Sequence, residues 1–384
     1  MKPKLAQLLV CPGCKSGLDL FVFAEHGSDN IHDGYLHCRT CAKGFLIAGG
    51  IPRMLPERLY HNDAFRVKYR REIERVHLGR SASAAGSDKL LSHKANTLAS
   101  FGWEWENYNR FGWERQSKDE FWSVENERER FFNNTLFEPG ELSNKLMLDA
   151  GCGNGRYMIQ CLQNGAEVVG VDLSSAIDVA RENLGDHPNA HFVQGDLLSL
   201  PFRPQSFDLV FSIGVLMHTG APQQAFGSIT SMAKKGGGVG ISVYQKQNPL
   251  HEFNDKWIRA FTTRFPRHFL KDTCNVMAKL ARSAWKIRTL GLINALFRLE
   301  PYELCIYDWY SAPVATHHTL REVQSWFQHV GINELSDSTT ADRRDAIRKW
   351  VWPMCGFTIR GNRAVDMKSS GSTGIHSFNQ RGIS

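Results

Sequence analysis

The sequence predicts an α/β protein built on a doubly wound parallel sheet, with a small cysteine-bearing module ahead of it and a helical insertion near its end. Three observations carry that prediction. Residues 145–244 alternate short apolar runs with stretches of helical spacing. A glycine-rich turn follows the first apolar run. Two C-x-x-C pairs lie within the first 41 residues, apart from the scattered remaining cysteines.

The apolar runs come in order. Leu146-Met147-Leu148 ends in Asp149 and glycines, and Val168-Val169-Gly170-Val171 ends in Asp172. His191-Phe192-Val193 ends at Gly195-Asp196, and Phe207-Asp208-Leu209-Val210-Phe211 ends at Ser212. Val239-Gly240-Ile241-Ser242-Val243 is the fifth. Helical stretches, such as residues 175–184 and 223–232, lie between them. Strands alternating with helices of this length form a parallel sheet covered by helices on both faces. Ligands bind such sheets beyond the carboxyl ends of the strands. Acidic, glycine or hydroxyl residues end the first four runs there. Residues 320–330 then read as a helix, and residues 357–360 close a strand pair.

Composition sets the class. The chain has 384 residues, 42% hydrophobic and 22% charged, which allows a sizeable core. No stretch approaches the roughly 18 apolar residues of a membrane span. Residues 1–10 lack the pattern of a cleaved secretory signal, so a cytoplasmic setting is expected. Nine cysteines, four of them in paired spacing, argue against a disulfide framework and for one metal site in a reducing compartment. The net charge of +7 permits an acidic partner without demanding one.

The glycine-rich turn reads Leu148-Asp149-Ala150-Gly151-Cys152-Gly153-Asn154-Gly155-Arg156. Glycines there permit a sharp bend and let a ligand approach the backbone. A dinucleotide site wants G-x-G-x-x-G, but here the third glycine comes one residue early, at Gly155. The turn resembles motif I of class I S-adenosylmethionine-dependent methyltransferases of the type 11 kind. Further segments match that family in order. The resemblance implies that Asp149, Gly151, Cys152, Gly153 and Gly155 bind S-adenosylmethionine. It implies that Asp172, with Leu173 beside it, takes the ribose hydroxyls, because a carboxylate accepts from both donors of a diol. Gly195-Asp196-Leu197 resembles the adenine turn, with Asp196 accepting from the adenine amine. Phe207-Asp208-Leu209-Val210, then Ile213 and Gly214-Val215-Leu216-Met217-His218, resemble motif IV and its following turn, with Ile213 at the cofactor. Lys235-Gly236-Gly237 stands where the family usually has Pro-Gly-Gly, a departure at Lys235. Arg156 reads either as facing the cofactor's carboxylate or as capping the turn.

Cys11-Pro12-Gly13-Cys14 and Cys38-Arg39-Thr40-Cys41 are two tight knuckles separated by 23 residues. Cys11, Cys14, Cys38 and Cys41 therefore predict a closed, structural zinc site in a module too small for a real core. Residues 8–55 resemble the zinc ribbon of the small tRNA-methyltransferase activator proteins, with Gly49-Gly50-Ile51-Pro52-Arg53-Met54 matching its closing segment. The expected organisation is a ribbon over 1–58, a basic helical segment and linker over 59–100, a methyltransferase domain over 101–362 with its insertion at about 245–310, and a disordered tail over 363–384.

Methyl transfer is an in-line displacement in which the protein chiefly aligns the partners and excludes water. His218 is the candidate general base for a hydroxyl acceptor. His317 and His318 are expected at the surface. The segment Ser212-Ile213-Gly214-Val215-Leu216-Met217-His218 resembles small-molecule methyltransferases, so the main expectation is a hydroxyl on a small metabolite, glycan or lipid-linked acceptor. RNA is the alternative, since a ribbon joined to this fold also resembles rRNA guanine methyltransferases. Residues 256–298 carry ten Lys or Arg against one acid, Asp272. That insertion reads as an RNA contact, as an anionic membrane contact or as a solvated helical cap. A non-catalytic, cofactor-binding partner protein is a further reading, opposed by the intact turn and by Asp172.

Overall fold

The computed structural model describes residues 1–27, 30–60, 62–76, 88–113, 124–284, 296, 298–338 and 356–364. The expected linker at 81–87, Phe121, Trp122 and most of the expected disordered tail lie outside them.

The chain begins with α1 (Pro3–Leu8) and four antiparallel strands, β1 (Asp19–Glu25), β2 (Ile31–His37), β3 (Gly44–Ala48) and β4 (Ile51–Arg53). Two short helices follow, α2 (Asp63–Lys68) and α3 (Arg70–Val76). Their Phe65, Tyr69 and Ile73 recur every four residues and bury one stripe against Tyr35, Leu46 and Ala48 of the ribbon. The basic side chains of this segment lie off that stripe.

Next come α4 (Asp88–Asn107) and α5 (Val124–Thr135). The alternating unit then runs β5 (Leu146–Ala150), α6 (Met158–Gln163), β6 (Glu167–Asp172), α7 (Ala176–Leu184), β7 (Ala190–Gln194), β8 (Phe207–Ile213), α8 (Pro222–Met232) and β9 (Ala233–Tyr244). Its five strands are parallel. Both faces of a parallel sheet are covered, which is why Val168, Val169, Val171 and Val193 are all fully buried. The insertion supplies α9 (Pro249–Thr262), α10 (Arg267–Ala284) and α11 (Glu303–Ser311). The chain closes with α12 (Leu320–His329), β10 (Leu335–Asp337) and β11 (Gly356–Asn362). A reciprocal cap starts α12: the Glu322 N–H donates to Thr319 Oγ1 at 3.2 Å while the Glu322 carboxylate accepts from the Thr319 N–H. Both closing strands run antiparallel, β11 against β9 and β10 against β11. Arg363, expected in the tail, prolongs this pairing by donating its N–H to the Gly237 carbonyl at 3.0 Å.

All eleven strands belong to one sheet, in the order β1-β2-β3-β4-β7-β6-β5-β8-β9-β11-β10. The ribbon is thus joined edge to edge with the α/β unit. β4 lies parallel to β7 with Arg53 opposite Gln194, and the Met54 N–H donates to the Gln194 carbonyl at 2.8 Å. The buried Arg53 guanidinium donates to the Asp178 carboxylate at 2.9 and 2.5 Å and to Gln194 Oε1 at 3.1 Å. Lys2 donates to the carbonyls of His187 and Pro188, both at 2.6 Å. Among the described residues no helix is long and apolar enough to cross a membrane.

Arg53→Ala removes the charged fork at this seam and leaves Gln194 and Asp178 without their partner. It is expected to lower unfolding free energy by about 2 kcal/mol, read as a lower urea midpoint at unchanged slope. An unchanged midpoint would show that the seam is held by the backbone pairing alone.

Candidate active site

A cavity of about 760 Å³ lies beyond the carboxyl ends of β5, β6, β7, β8 and β9. α4 and α11 wall its other side with Phe101, Glu104, Trp105, Leu304, Cys305 and Asp308.

The turn after β5 forms its floor. Gly151 has φ +97° and its N–H donates to the Val171 carbonyl at 2.8 Å. A Cβ there would fall 2.4 Å from the Val215 side chain, so only glycine fits. Gly153 has φ +51° and lies against Trp105, 3.0 Å from where a Cβ would be. Asn154 ties the turn to the aromatic segment by donating to the carbonyls of Asn109 and Phe111 at 3.2 and 2.9 Å.

Asp172 ends β6 at the cavity. Its carboxylate accepts from the Gly153 N–H at 3.0 Å and from the Ser174 N–H and hydroxyl at 2.9 and 2.7 Å. Burial raises its pKa, and these hydrogen bonds oppose the rise. Asp196 follows β7. Its Oδ1 accepts from the Leu198 N–H at 2.9 Å, and its Oδ2 takes the Lys94 ammonium of α4.

His218 is buried on the short turn after β8. Its Nδ1 lies 2.7 Å from the Val314 carbonyl, which accepts only, so that nitrogen carries the proton. Nε2 is left as the lone-pair nitrogen, buried and without a hydrogen-bond partner. Phe101 and Tyr244 flank the ring at 5.0 and 5.5 Å. Burial pushes the imidazole below its ordinary 6.5.

A buried acidic pair completes the wall. Tyr244 donates its hydroxyl to Asp308 Oδ2 at 2.7 Å. Glu104 is buried, and its Oε2 has no partner. Burial first, then the Asp308 charge, holds the Glu104 carboxyl well above its ordinary 4.5, while Arg156 acts against the rise.

Of the expected residues, Gly151, Cys152, Gly153, Asp172, Leu173, Asp196, Leu197, Ile213 and His218 line this one cavity. Asp149 and Gly155 do not. Asp149 points beneath the turn, fully buried with Oδ2 unpartnered, and burial holds its carboxyl well above 3.8. Gly155 abuts Ala180 and Leu184, so it serves the packing of α7. Arg156 lines the cavity and lies over the rings of Trp105, Phe111 and Tyr157. His317 and His318 are buried rather than superficial. Their segment runs beside the end of β9, with the His318 N–H donating to the Tyr244 carbonyl at 2.9 Å, and this turns both rings inward. His317 stacks on Trp309 at 5.0 Å and meets Glu252 at 2.8 Å, whereas His318 meets Glu322 at 2.8 Å. Glu104, Asp308, Tyr244 and Lys94 were not read from the sequence. A glutamate between two tryptophans carries no motif, and only the fold brings residues 104, 244 and 308 together.

The four thiols of Cys11, Cys14, Cys38 and Cys41 lie within 4.8 Å of one another. Cys11 and Cys41 are 3.5 Å apart, Cys14 and Cys38 3.4 Å. A tetrahedral zinc with bonds of about 2.3 Å would set sulfurs about 3.8 Å apart. The knuckle touches the segment after Asp196: Ser199 donates to the Pro12 carbonyl at 2.6 Å and Lys15 to the Leu200 carbonyl at 2.9 Å.

Residues 148–241 match a family model described as a methyltransferase domain. This chain carries a methyltransferase domain. Among curated proteins it is similar to tRNA U34 carboxymethyltransferases. The one from Vibrio cholerae serotype O1 is 40% identical over 86 residues, 21% of this chain and 26% of that protein. The one from Pseudomonas aeruginosa is 39% identical over 102 residues, 25% of this chain and 31% of that protein. The chain thus spans about a quarter of the length of the curated relatives it matches. Two solved structures are distantly similar. One is a complex between the Haloferax volcanii Trm112 methyltransferase activator and a methyltransferase, with TM-score 0.41 and 14% identity over 70% of this chain and 98% of that one. The other is magnesium protoporphyrin IX methyltransferase from Synechocystis PCC 6803, with TM-score 0.40 and 18% identity over 72% of this chain and all of that one.

A carboxyl raised by burial stabilises the fold only while protonated. The Glu104 contribution is therefore present below 4.5 and lost as pH rises through its folded value. Glu104→Gln is expected to raise stability at pH 7 by about 1–3 kcal/mol and to flatten that loss. Urea unfolding across the pH range checks it, and identical slopes for both proteins would refute it.

Proposed function

We propose that this chain is an S-adenosylmethionine-dependent methyltransferase. One observation carries the reading: residues that the motif resemblance marks separately, on four strand ends, converge on one cavity. The methyltransferase-domain match supports it. The residues fit the cofactor. Glycines at 151 and 153 leave the floor free of Cβ atoms, and Asp172 keeps accepting capacity beyond its three protein donors. In this reading Asp172 and Leu173 hold the ribose end and Asp196 and Leu197 the adenine end, after Lys94 yields its place. When bound, the cofactor supplies a methyl group on a sulfonium, already a good leaving group.

The chain's own work is to align the acceptor, exclude water and hold a proton. His218 is placed for the last task, with Nδ1–H held by Val314 and Nε2 free to take the proton of an acceptor hydroxyl. The named relatives act on a tRNA nucleoside, and this favours RNA over a free small molecule as the acceptor. A hydroxyl on a small metabolite, glycan or lipid-linked acceptor is the second reading, favoured by the closed, water-poor setting of His218 Nε2. We also assign a structural zinc to Cys11, Cys14, Cys38 and Cys41. The thiol cluster is closed, with no fifth His, Cys, Asp or Glu grouped with it among the described residues.

Three outcomes test these assignments. Methyl-labelled S-adenosylmethionine incubated with the chain and host extract should place label in the RNA pool. Label in lipid, glycan or metabolites would favour the second reading, and none in any pool would sink the activity. Asp172→Ala should weaken cofactor binding roughly 10–100-fold by calorimetry. His218→Asn should lower kcat about 100-fold or more with cofactor affinity intact. A base works while neutral, so wild-type activity should fall as pH drops through a value below 6.5. A variant that keeps that acid limb would remove His218 from the role.

A further inference from the structure

Two helices of the insertion turn an apolar face away from the rest of the chain. On α9, Leu250, Phe253, Trp257 and Phe261 follow three- and four-residue spacing and are each more than half exposed, between 53% and 60%. The stripe continues through Phe265 and Phe269 to Val276 and Leu280 of α10, exposed by 46% to 63%. The opposite faces already have partners. Asp255 of α9 accepts from the Trp309 indole at 2.6 Å and from Arg259 at 2.8 Å. Leu270, Cys274 and Ala278 of α10 pack on Ile306, Tyr307 and Tyr310 of α11. The exposed stripe is therefore a second apolar face, additional to the one that docks the hairpin.

Its border is basic. Over residues 249–284 seven Lys or Arg stand against Glu252, Asp255 and Asp272. Glu252 is turned toward His317 and Asp255 toward Arg259 and Trp309, so Asp272 is the acid left on the outer side. Lys256, Arg264, Lys279 and Arg282 are exposed. A Trp- and Phe-bearing stripe rimmed by Lys and Arg on a helix too short to span is the pattern of an interfacial helix. Single-stranded RNA would stack bases on the rings, but Leu250, Val276 and Leu280 offer no ring to stack on.

We propose that the α9–α10 hairpin is an interfacial anchor that seats this protein on an anionic lipid bilayer. The stripe enters the acyl boundary while the basic rim meets the headgroups. α11 carries the hairpin on one face and lines the cavity with Leu304, Cys305 and Asp308, so the anchored surface and the cavity are one helix apart. The inference does not depend on which acceptor the cavity takes.

The test is co-sedimentation of the full chain with phosphatidylcholine vesicles, with and without about one-third phosphatidylglycerol. Binding is expected to the anionic vesicles and to weaken with salt. Trp257→Asp with Phe261→Asp should abolish it. Lys256→Glu with Arg264→Glu should weaken it by about fivefold or more per charge removed. Circular dichroism and cofactor calorimetry on each variant confirm that the fold is kept. Equal sedimentation with both vesicle types, or none, overturns the proposal. So does a dimer in analytical ultracentrifugation that Trp257→Asp dissociates, which would give the stripe to a second copy. Binding of an RNA oligonucleotide through the same residues, without vesicle binding, would give it to nucleic acid.

Discussion

An open parallel sheet leaves two raw edges, and the architecture of this chain is organised around closing them. On one side β9 is covered by the antiparallel return of β11 and β10. On the other, β7 would expose unpaired backbone groups, and β4 of the ribbon takes that place. The pairing is short, so side chains reinforce it: Arg53 reaches Asp178 and Gln194, and Lys2 gathers the carbonyls that precede β7. Ribbon and α/β unit are consequently one continuous layer. The ribbon's first cysteine knuckle rests on the turn that follows Asp196.

The cavity depends on a second constraint, the burial of polar groups left without partners. Asp149, Glu104 and His218 each present a buried atom with no hydrogen bond from the protein. Each such atom costs stability unless something supplies the missing contact. Asp149 lies beneath the turn and Glu104 in the wall opposite, while His218 sits at the far end with its other nitrogen fixed. An active site that holds unpaired groups in a dry place is tuned for a guest that completes them.

The sheet was legible in the sequence because its strands are continuous apolar runs, and continuity is what burial on both faces requires. The turn after β5 was legible because positive φ and close approach select glycine, and Gly151 and Gly153 meet both conditions. Asp149 and Gly155 belong to the same motif but serve its packing, a distinction that spacing alone does not draw. The joining of the ribbon to β7 was hidden, since a three-residue strand has no periodicity to read. Glu104, Asp308 and Tyr244 were hidden for a different reason. They lie far apart in the chain, and their proximity follows from how α4 and α11 cross the strand ends. His317 and His318 look like surface residues until the pairing of their segment with the end of β9 is known.

The strand order also has a consequence in time. Arg53 and Gln194 are 141 residues apart in the chain, yet they are neighbours in the sheet. During synthesis β4 emerges long before β7 exists. Through that interval its outer edge is a template for any extended segment, including the same strand on a neighbouring nascent chain. The finished protein hides this hazard completely. The half-made one carries it, and slow elongation between these two strands is the condition under which it would matter most.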